Sequence, residues 1–178
     1  MNKIYQKKKV LEKNRSKAGF DGFMLIELFV VVLIIGVLAS IAWPRYEKAV
    51  AKTRAMAGLS ILLRVLQSQE RHLMATGSYT TDLSELDISL PESKDYSFHC
   101  ESYCCWATSK YKKQIPTFQA YMSYPQGNQK HMKDQRICRV WPYQNPSPKL
   151  PEEVCVLLGG TNRASSTTGV QFDLSAVY

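Results

Sequence analysis

One long apolar run constrains this chain more than any other feature of its sequence. Residues 23–43 are 21 consecutive positions with a single ionisable side chain, Glu27. A helix needs about 20 apolar residues to span a bilayer, whereas the apolar core of an ordinary secretory signal has only about 7–15. The run therefore predicts a helix that crosses a membrane once and is retained as an anchor.

The segment before this run predicts its orientation. Residues 1–22 carry seven Lys or Arg against two acids, so +5 of the formal net charge of +8 lies in these few residues. Basic residues stay on the cytoplasmic side of a membrane helix. We therefore expect a cytoplasmic N-terminus, and residues after the run on the far side of the membrane. The high net charge then reflects topology more than nucleic-acid binding.

The cysteines agree with that topology. All five follow residue 99, where an oxidising compartment permits disulfides, and an odd number leaves at least one without an intramolecular partner. Cys100, Cys104 and Cys105 are close enough for one local disulfide, in which Cys100 pairs with Cys104 or Cys105. With His99 they could also suggest a metal site, but structural zinc takes four ligands, commonly in two short pairs. We expect a disulfide here and no metal.

The pattern after residue 43 predicts that the helix continues. Met56, Leu59, Leu63, Leu66 and Leu73 recur at helical spacing and predict one buried face. Gly77 predicts the end of the helix. We divide the chain into a leader (1–22), a helix (23–76) comprising an anchor (23–43) and an amphipathic stalk (44–76), and a globular β-rich head (77–178).

The head predicts short antiparallel strands. Residues 95–107, 117–124, 135–143 and 170–178 are rich in aromatic and β-branched side chains. Four prolines between 142 and 151 predict an irregular loop. The chain as a whole therefore predicts an α+β fold with a long N-terminal helix and a C-terminal antiparallel sheet.

Glu27 is the most informative residue of the apolar run. A charge at the centre of a bilayer costs roughly 2.5–3.5 kcal/mol on insertion scales, so the carboxylate needs a partner. In a chain cut before Phe23, the new α-amino group of its own or of a neighbouring chain offers one. From charge placement alone, a carboxylate near the membrane interface, where it costs little, is an equal alternative.

The residues around Glu27 carry a resemblance. Gly22-Phe23-Met24-Leu25-Ile26-Glu27-Leu28, followed by the apolar stretch to Ala42 and by Pro44, resembles the class III signal of type IV pilins and the related pseudopilins. The resemblance implies that a prepilin peptidase cuts between Gly22 and Phe23, that Phe23 is N-methylated, and that Glu27 guides assembly. Pro44 matches the helix-kinking proline of that family, and Gly36 matches a glycine from which the helix can loosen in assembled pili.

The resemblance implies that the protein is a structural subunit with the pilin fold. Such a subunit inserts in the bacterial inner membrane with its head in the periplasm. Inner-membrane machinery then builds it into a homo-oligomeric helical filament at the cell surface, used in adhesion, twitching motility or DNA uptake. A pseudopilin of a type II secretion system and a membrane-anchored binding protein that never polymerises are the alternatives. We expect no cofactor and no enzymatic activity, since the sequence has no metalloprotease pair, nucleophile elbow or phosphate loop.

The C-terminal cysteines extend the resemblance. Cys138 and the sequence that begins at Cys155 and ends in Gly-Gly are similar to small bacterial pilins with a C-terminal disulfide loop, which implies a Cys138–Cys155 bond. The competing scheme joins Cys138 to the group at 100–105 and leaves Cys155 unpaired.

A basic region at 109–139 has two interpretations. Basic and aromatic groups together can grip single-stranded nucleic acid, whereas lysines along a strand edge commonly only guard it against aggregation. A contact with DNA or with a surface is therefore a secondary prediction. The region contains Lys110, Tyr111, Lys112, Lys113, Phe118, Tyr121, Tyr124, Lys130, Lys133, Arg136 and Arg139.

Overall fold

The computed structural model describes residues 21–123, 134–141, 148–166 and 169–176. The chain divides into two compact units, Met1–Arg45 and Tyr46–Tyr178. The predicted α+β architecture is confirmed, since a long N-terminal helix precedes a C-terminal six-stranded antiparallel sheet.

Helix α1 runs from Asp21 to Thr76 and contains Pro44. It ends where the sequence predicts, because Gly77 has a φ of +83°, a left-handed conformation that glycine adopts without a steric penalty. The Gly77 N–H donates to the carbonyl oxygen of Leu73 at 2.8 Å. That bond satisfies one of the carbonyls that every helix end leaves without a partner.

The buried face of α1 differs from the predicted stripe. Leu59 is buried, but Met56 is 46% exposed, while Leu63 and Leu66 lie at the margin of the core. The prediction missed Ala51 and Ala55, whose small side chains let the sheet approach the helix closely, and it placed the stripe one residue away from Leu62 and Val65. The residues of α1 that form the core are Ala51, Ala55, Leu59, Leu62 and Val65.

The sheet has the strand order β1-β2-β3-β4-β6-β5, and each hydrogen-bonded pair is antiparallel. The segment 95–107, for which the sequence predicts strand structure, contains β1 and the first part of β2. It is a hairpin whose turn is closed by the N–H of Glu101, which donates to the Cys104 carbonyl at 2.7 Å. No glycine or proline marks this turn in the sequence. The strands are β1 Tyr96–Cys100, β2 Cys104–Ser109, β3 Thr117–Tyr121, β4 Arg136–Val140, β5 Thr161–Ser166 and β6 Gly169–Asp173.

A second helix replaces part of the predicted proline-rich loop. Residues 142–147 lie outside the described residues, but α2 spans Lys149–Leu157 and follows Pro148. Pro151 lies in its first turn, where a backbone N–H has no partner within the helix, so proline is tolerated there. Gly159 follows the helix with a φ of +88°.

The two faces of the sheet have different surroundings. One face packs on α1 and α2 and contributes Phe118, Cys138 and Phe172 to the main core. Side chains alternate along a strand, so the neighbours of these residues point the other way. On that outer face Cys104, Tyr121 and Ile137 form a second, smaller cluster with Tyr103 and Trp106.

Candidate functional site

The first part of α1 is exposed along its whole described length. Every residue from 25 to 49 is exposed, and the large apolar side chains from Leu25 to Trp43 keep between 46 and 72% of their surface accessible. The helix is long and apolar enough to cross a membrane. Soluble proteins rarely expose a continuous apolar surface of this extent, and such surfaces commonly mark a site of interaction with a membrane or with another protein.

Glu27 is the one carboxylate on this apolar surface, and it is exposed. Both Gly22 and Phe23 have helical backbone in α1. Positions 23 and 27 are therefore one turn apart on the same side of the helix, separated by a rise of about 6 Å. That spacing brings a carboxylate at 27 within reach of a backbone nitrogen at 23, of the same chain or of a chain shifted by a few residues.

Gly36 and Pro44 both lie in this exposed part of α1. A Cβ built on Gly36 would meet no atom within 4 Å, so nothing in the described chain requires a glycine there. Pro44 has no N–H, so the Ser40 carbonyl four residues earlier loses its helical hydrogen bond. The Ser40 hydroxyl also donates to the Val37 carbonyl at 2.7 Å, a side-chain bond of the kind that often bends a helix.

Within the C-terminal unit, Gln69 connects α1 to the chain that follows it. The Gln69 side chain is fully buried. Its Nε2 donates to the Thr80 carbonyl at 2.7 Å, and its Oε1 accepts from the Thr80 N–H at 3.1 Å. One amide thus satisfies both backbone groups of a residue just after the helix. Sequence analysis did not predict this role for Gln69, although a glutamine beside an apolar stripe of helical spacing is a usable signal.

Two ion pairs also join α1 to chain segments that follow it. Arg54 of α1 pairs with Asp95 and donates to Oε1 of Gln114 at 3.1 Å. Arg71 donates to both carboxylate oxygens of Asp87, at 2.6 and 2.8 Å. The hydrogen bonds from Arg71, and then one from Ser68, lower the pKa of Asp87 to about 2.

The structure contains two disulfides. Cys138 of β4 and Cys155 of α2 are bonded, with their Cα atoms 5.8 Å apart; this is the pair that the resemblance implies. It ties α2 to the sheet. Cys100 and Cys105, which lie opposite each other in the β1–β2 register, form the second bond. The sequence left open whether Cys100 pairs with Cys104 or with Cys105, and the structure has the pair with Cys105.

Cys104 is the cysteine without a disulfide partner, and it is fully buried on the outer face. It receives a hydrogen bond from Nε2 of Gln119 at 3.4 Å. Burial raises the pKa of its thiol to about 11. The nucleophilic form of cysteine is the thiolate. A buried thiol with a raised pKa stays protonated at neutral pH, so Cys104 has low nucleophilic reactivity.

In its described part, residues 109–123 and 134–139, the basic region does not form one continuous basic and aromatic surface. Phe118 and Tyr121 are buried, so neither ring is available to stack on a base. Lys110 donates to the Ser93 carbonyl at 2.8 Å, while Tyr111 lies against Arg54. Tyr124, Lys130 and Lys133 lie outside the described residues. Arg139 and Lys112 lie against indole rings on the outer face, an arrangement that sequence analysis also missed.

Comparison with known proteins gives partial matches. A fimbrial protein of Pseudomonas aeruginosa is 36% identical over 76 residues, which cover 40% of this chain and 49% of that relative. A type IV major fimbrial protein FimA of Dichelobacter nodosus is 50% identical over 40 residues, 22% of this chain and 25% of the relative. The chain thus spans about half the length, or less, of these curated relatives. No family model matches the chain, and the search of solved structures found no significant match.

Proposed function

Because this chain belongs to the type IV pilin family, we propose that it is a structural subunit of a type IV pilus. In this proposal the subunit polymerises through α1 into an extracellular helical filament. The exposed apolar surface of residues 25–43, in which Glu27 is the one ionisable side chain, carries the proposal. Such a surface is buried in the bilayer before assembly and among the helices of neighbouring subunits afterwards.

Processing precedes assembly in this proposal. A prepilin peptidase cuts between Gly22 and Phe23 on the cytoplasmic side of the inner membrane and removes the basic leader. The cut leaves the apolar segment in place as the anchor and creates an α-amino group at Phe23, which is then methylated. N-methylation keeps the basic nitrogen, so the new terminus remains a cation.

Glu27 then selects the register between subunits. Its carboxylate pairs with the amino terminus at Phe23 of an incoming or a resident chain. In a surrounding of low dielectric constant such a pair is stronger than in water, and an unpaired Glu27 is costly. A subunit added in the wrong register leaves both charges without partners, so the pair discriminates against misplacement.

Gly36 and Pro44 contribute flexibility in the same scheme. Glycine is less favourable than alanine inside a helix by about 1 kcal/mol, and the helix lacks one backbone hydrogen bond at Pro44. A helix weakened at these two points can bend or loosen as it leaves the bilayer and packs among its neighbours. The inner-membrane assembly machinery supplies the work of extraction.

The filament's use in adhesion, motility or DNA uptake is a further part of the proposal. A type II secretion pseudopilin has the same N-terminal signal, and the two assemblies differ in where the filament ends. A long filament that carries this subunit on the cell surface indicates a pilus. A membrane-anchored protein that never polymerises yields neither kind of filament.

One experiment tests processing and assembly together. Surface filaments are sheared from cells that express the chain, imaged by electron microscopy and analysed by intact-mass measurement. We expect filaments whose subunit starts at Phe23 and carries one additional methyl group. A Gly22→Leu variant, whose side chain blocks close approach of the peptidase to the backbone, should keep its leader and form no filaments. A mature chain that begins after Trp43, or one that keeps Met1, would contradict the proposal.

A further inference from the structure

The outer face of the sheet carries a cluster of cationic and aromatic side chains. Arg139 lies between Cys138 and Val140, which belong to the core, so strand alternation places Arg139 on the outer face. Its Cζ lies 5.0 Å from the ring centroid of Trp106 and 5.3 Å from that of Trp141. We call these three residues the Arg139 clamp.

Two further groups adjoin the Arg139 clamp. Nζ of Lys112 lies 5.7 Å from the centroid of the Trp141 ring. The imidazole of His99 stacks on Trp106, with 6.0 Å between the ring centroids and 8° between the ring planes. The two cation–π contacts of Arg139 hold its guanidinium beside the rings of Trp106 and Trp141, while Lys112 and His99 also lie against those rings.

Arg139 is held in place without a counter-ion. Among the described residues, the ion pairs involve other cations, and Nε of Arg139 is buried without a hydrogen-bond partner. Burial lowers the pKa of Arg139, while the Tyr121 hydroxyl and the Cys104 thiol act in the opposite direction. A desolvated guanidinium that lacks a carboxylate partner costs free energy.

Two other polar atoms on the outer face are, like Nε of Arg139, buried without a hydrogen-bond partner in the part of the chain that the structure describes. They are Nε1 of Trp106 and Oε1 of Gln119. Gln119 is only 3% exposed, and it pairs with Trp106 in the β2–β3 register. Native proteins leave few buried polar atoms unsatisfied, so several on one face of one sheet suggest a ligand or water that is absent from the chain itself.

We propose that the Arg139 clamp binds a carboxylate group of a ligand from outside the chain, such as the carboxylate of an acidic sugar. The guanidinium carbon lies at cation–π distance from both indole rings, and an arginine in such contacts can still offer its terminal N–H groups to an anion. That edge matches the two oxygens of a carboxylate and forms two parallel hydrogen bonds. The rings beside it offer an apolar platform to the carbon skeleton of a sugar.

A carboxylate fits this face better than nucleic acid does. A phosphate backbone is bound by a row of cations, and its bases by exposed aromatic faces. Lys110 is engaged with the Ser93 carbonyl, and the rings of Phe118 and Tyr121 are buried. The Arg139 clamp thus presents one oriented fork and not a basic track. This inference does not depend on filament assembly, because every residue it uses belongs to a single chain.

Tryptophan fluorescence offers a direct test. The sequence has three tryptophans, so a Trp43→Phe variant leaves Trp106 and Trp141 as the only indole reporters, both in the clamp. This full-length variant in detergent micelles is titrated with sodium glucuronate at constant ionic strength, and in parallel with glucose and with inorganic phosphate. We expect a saturable fluorescence change with glucuronate, none with glucose, and weaker binding of phosphate.

Further variants in the Trp43→Phe background test whether the fluorescence change comes from binding at Arg139. In Arg139→Gln, binding should be at least about tenfold weaker, since a charge-assisted hydrogen bond is worth roughly 1.5–3 kcal/mol. Arg139→Lys keeps the charge and the fold but has no fork, so its binding should also weaken. Lys113→Gln removes an exposed charge nearby and should titrate like its parent. An unsaturable response of the parent, equal responses to glucose and glucuronate, or unchanged binding in both Arg139 variants would show that the clamp only covers the sheet.

Discussion

Gly58 of α1 lies directly against the ring of Tyr96 in β1. A Cβ built on Gly58 would lie 2.4 Å from Cε2 and 2.5 Å from Cδ2 of that ring. Tyr96 is 2% exposed, and its hydroxyl donates to the Pro116 carbonyl at 2.9 Å. The ring is therefore fixed at both ends, and the missing side chain at position 58 is what allows the sheet to lie so close to the helix.

Gly58→Ala should accordingly destabilise the C-terminal unit. Alanine gains about 1 kcal/mol over glycine in a helix interior. Overpacking a core costs typically 1–3 kcal/mol, and because the built Cβ lies so close to the ring, we expect a cost near the upper end of that range. We expect a net loss of about 1–2 kcal/mol in a denaturant unfolding experiment. Gly36→Ala, with nothing within 4 Å, is the control and should leave this transition unchanged. An unaltered midpoint for Gly58→Ala would show that Tyr96 moves freely.

Gln69→Leu tests the buried amide. The substitution leaves the N–H and the carbonyl of Thr80 without their partners, and each unsatisfied buried group costs about 1–3 kcal/mol. We expect a loss of about 2–4 kcal/mol in the free energy of unfolding. Gln67→Leu, two residues away and exposed, should change it by less than about 0.5 kcal/mol. Equal effects of the two variants would contradict the assignment.

The two disulfides should differ in their contributions to stability. In the chain-entropy model, a loop with a sequence separation of 17 (Cys138–Cys155) stabilises by about 3 kcal/mol, and one with a separation of 5 (Cys100–Cys105) by about 2 kcal/mol. Paired alanine variants of each bond, compared by unfolding, should follow that order. Non-reducing peptide mapping should find Cys104 as the free thiol. A linked peptide joining Cys138 to the 100–105 group would overturn the pairing.

Asp87 gives a pH-dependent test. Its pKa is about 2 in the folded chain, against the usual 3.8. A carboxyl group with a lowered pKa stabilises the fold above pH 3.8 and loses that contribution as the pH falls through 2. In Arg71→Gln, the Asp87 pKa measured by NMR should rise toward 3.8, because Arg71 is the main cause of the shift. The pKa of Asp82, which is lowered by hydrogen bonds from Ser84, is the internal control and should stay the same in this variant. An unchanged pKa of Asp87 would show that Arg71 does not cause its shift.

Glu27→Leu separates insertion from assembly. Removing a charge from the apolar segment should leave membrane insertion at least as efficient, since that charge costs roughly 2.5–3.5 kcal/mol at the bilayer centre. Filament yield should nevertheless fall sharply, because the amino terminus at Phe23 loses its counter-charge. Glu27→Gln keeps the size and the hydrogen bonding but not the charge, and it should fail in the same way. Normal filaments from Glu27→Gln would mean that the charge itself is not needed.

Local sequence determined the parts of this protein that depend on local physics. A run of 21 residues with one ionisable side chain predicts a helix, because in a bilayer a helix satisfies its backbone polar groups internally. Gly77 was predictable as the end of that helix because only glycine adopts the left-handed backbone there without penalty. The α+β architecture followed from the change between helical periodicity and short aromatic-rich segments.

Tertiary structure decided what depends on residues far apart in the chain. Which face of α1 is buried depends on how closely the sheet approaches, and that distance is set by Gly58 and Tyr96. Cys104 and Cys105 are adjacent in sequence and chemically alike, yet they lie on opposite faces of β2. Only the antiparallel register, which places Cys100 opposite Cys105, determines which of them forms a disulfide. The Arg139 clamp likewise draws its residues from separate segments, so no local pattern could reveal it: a sheet's faces exist only once its strands have paired.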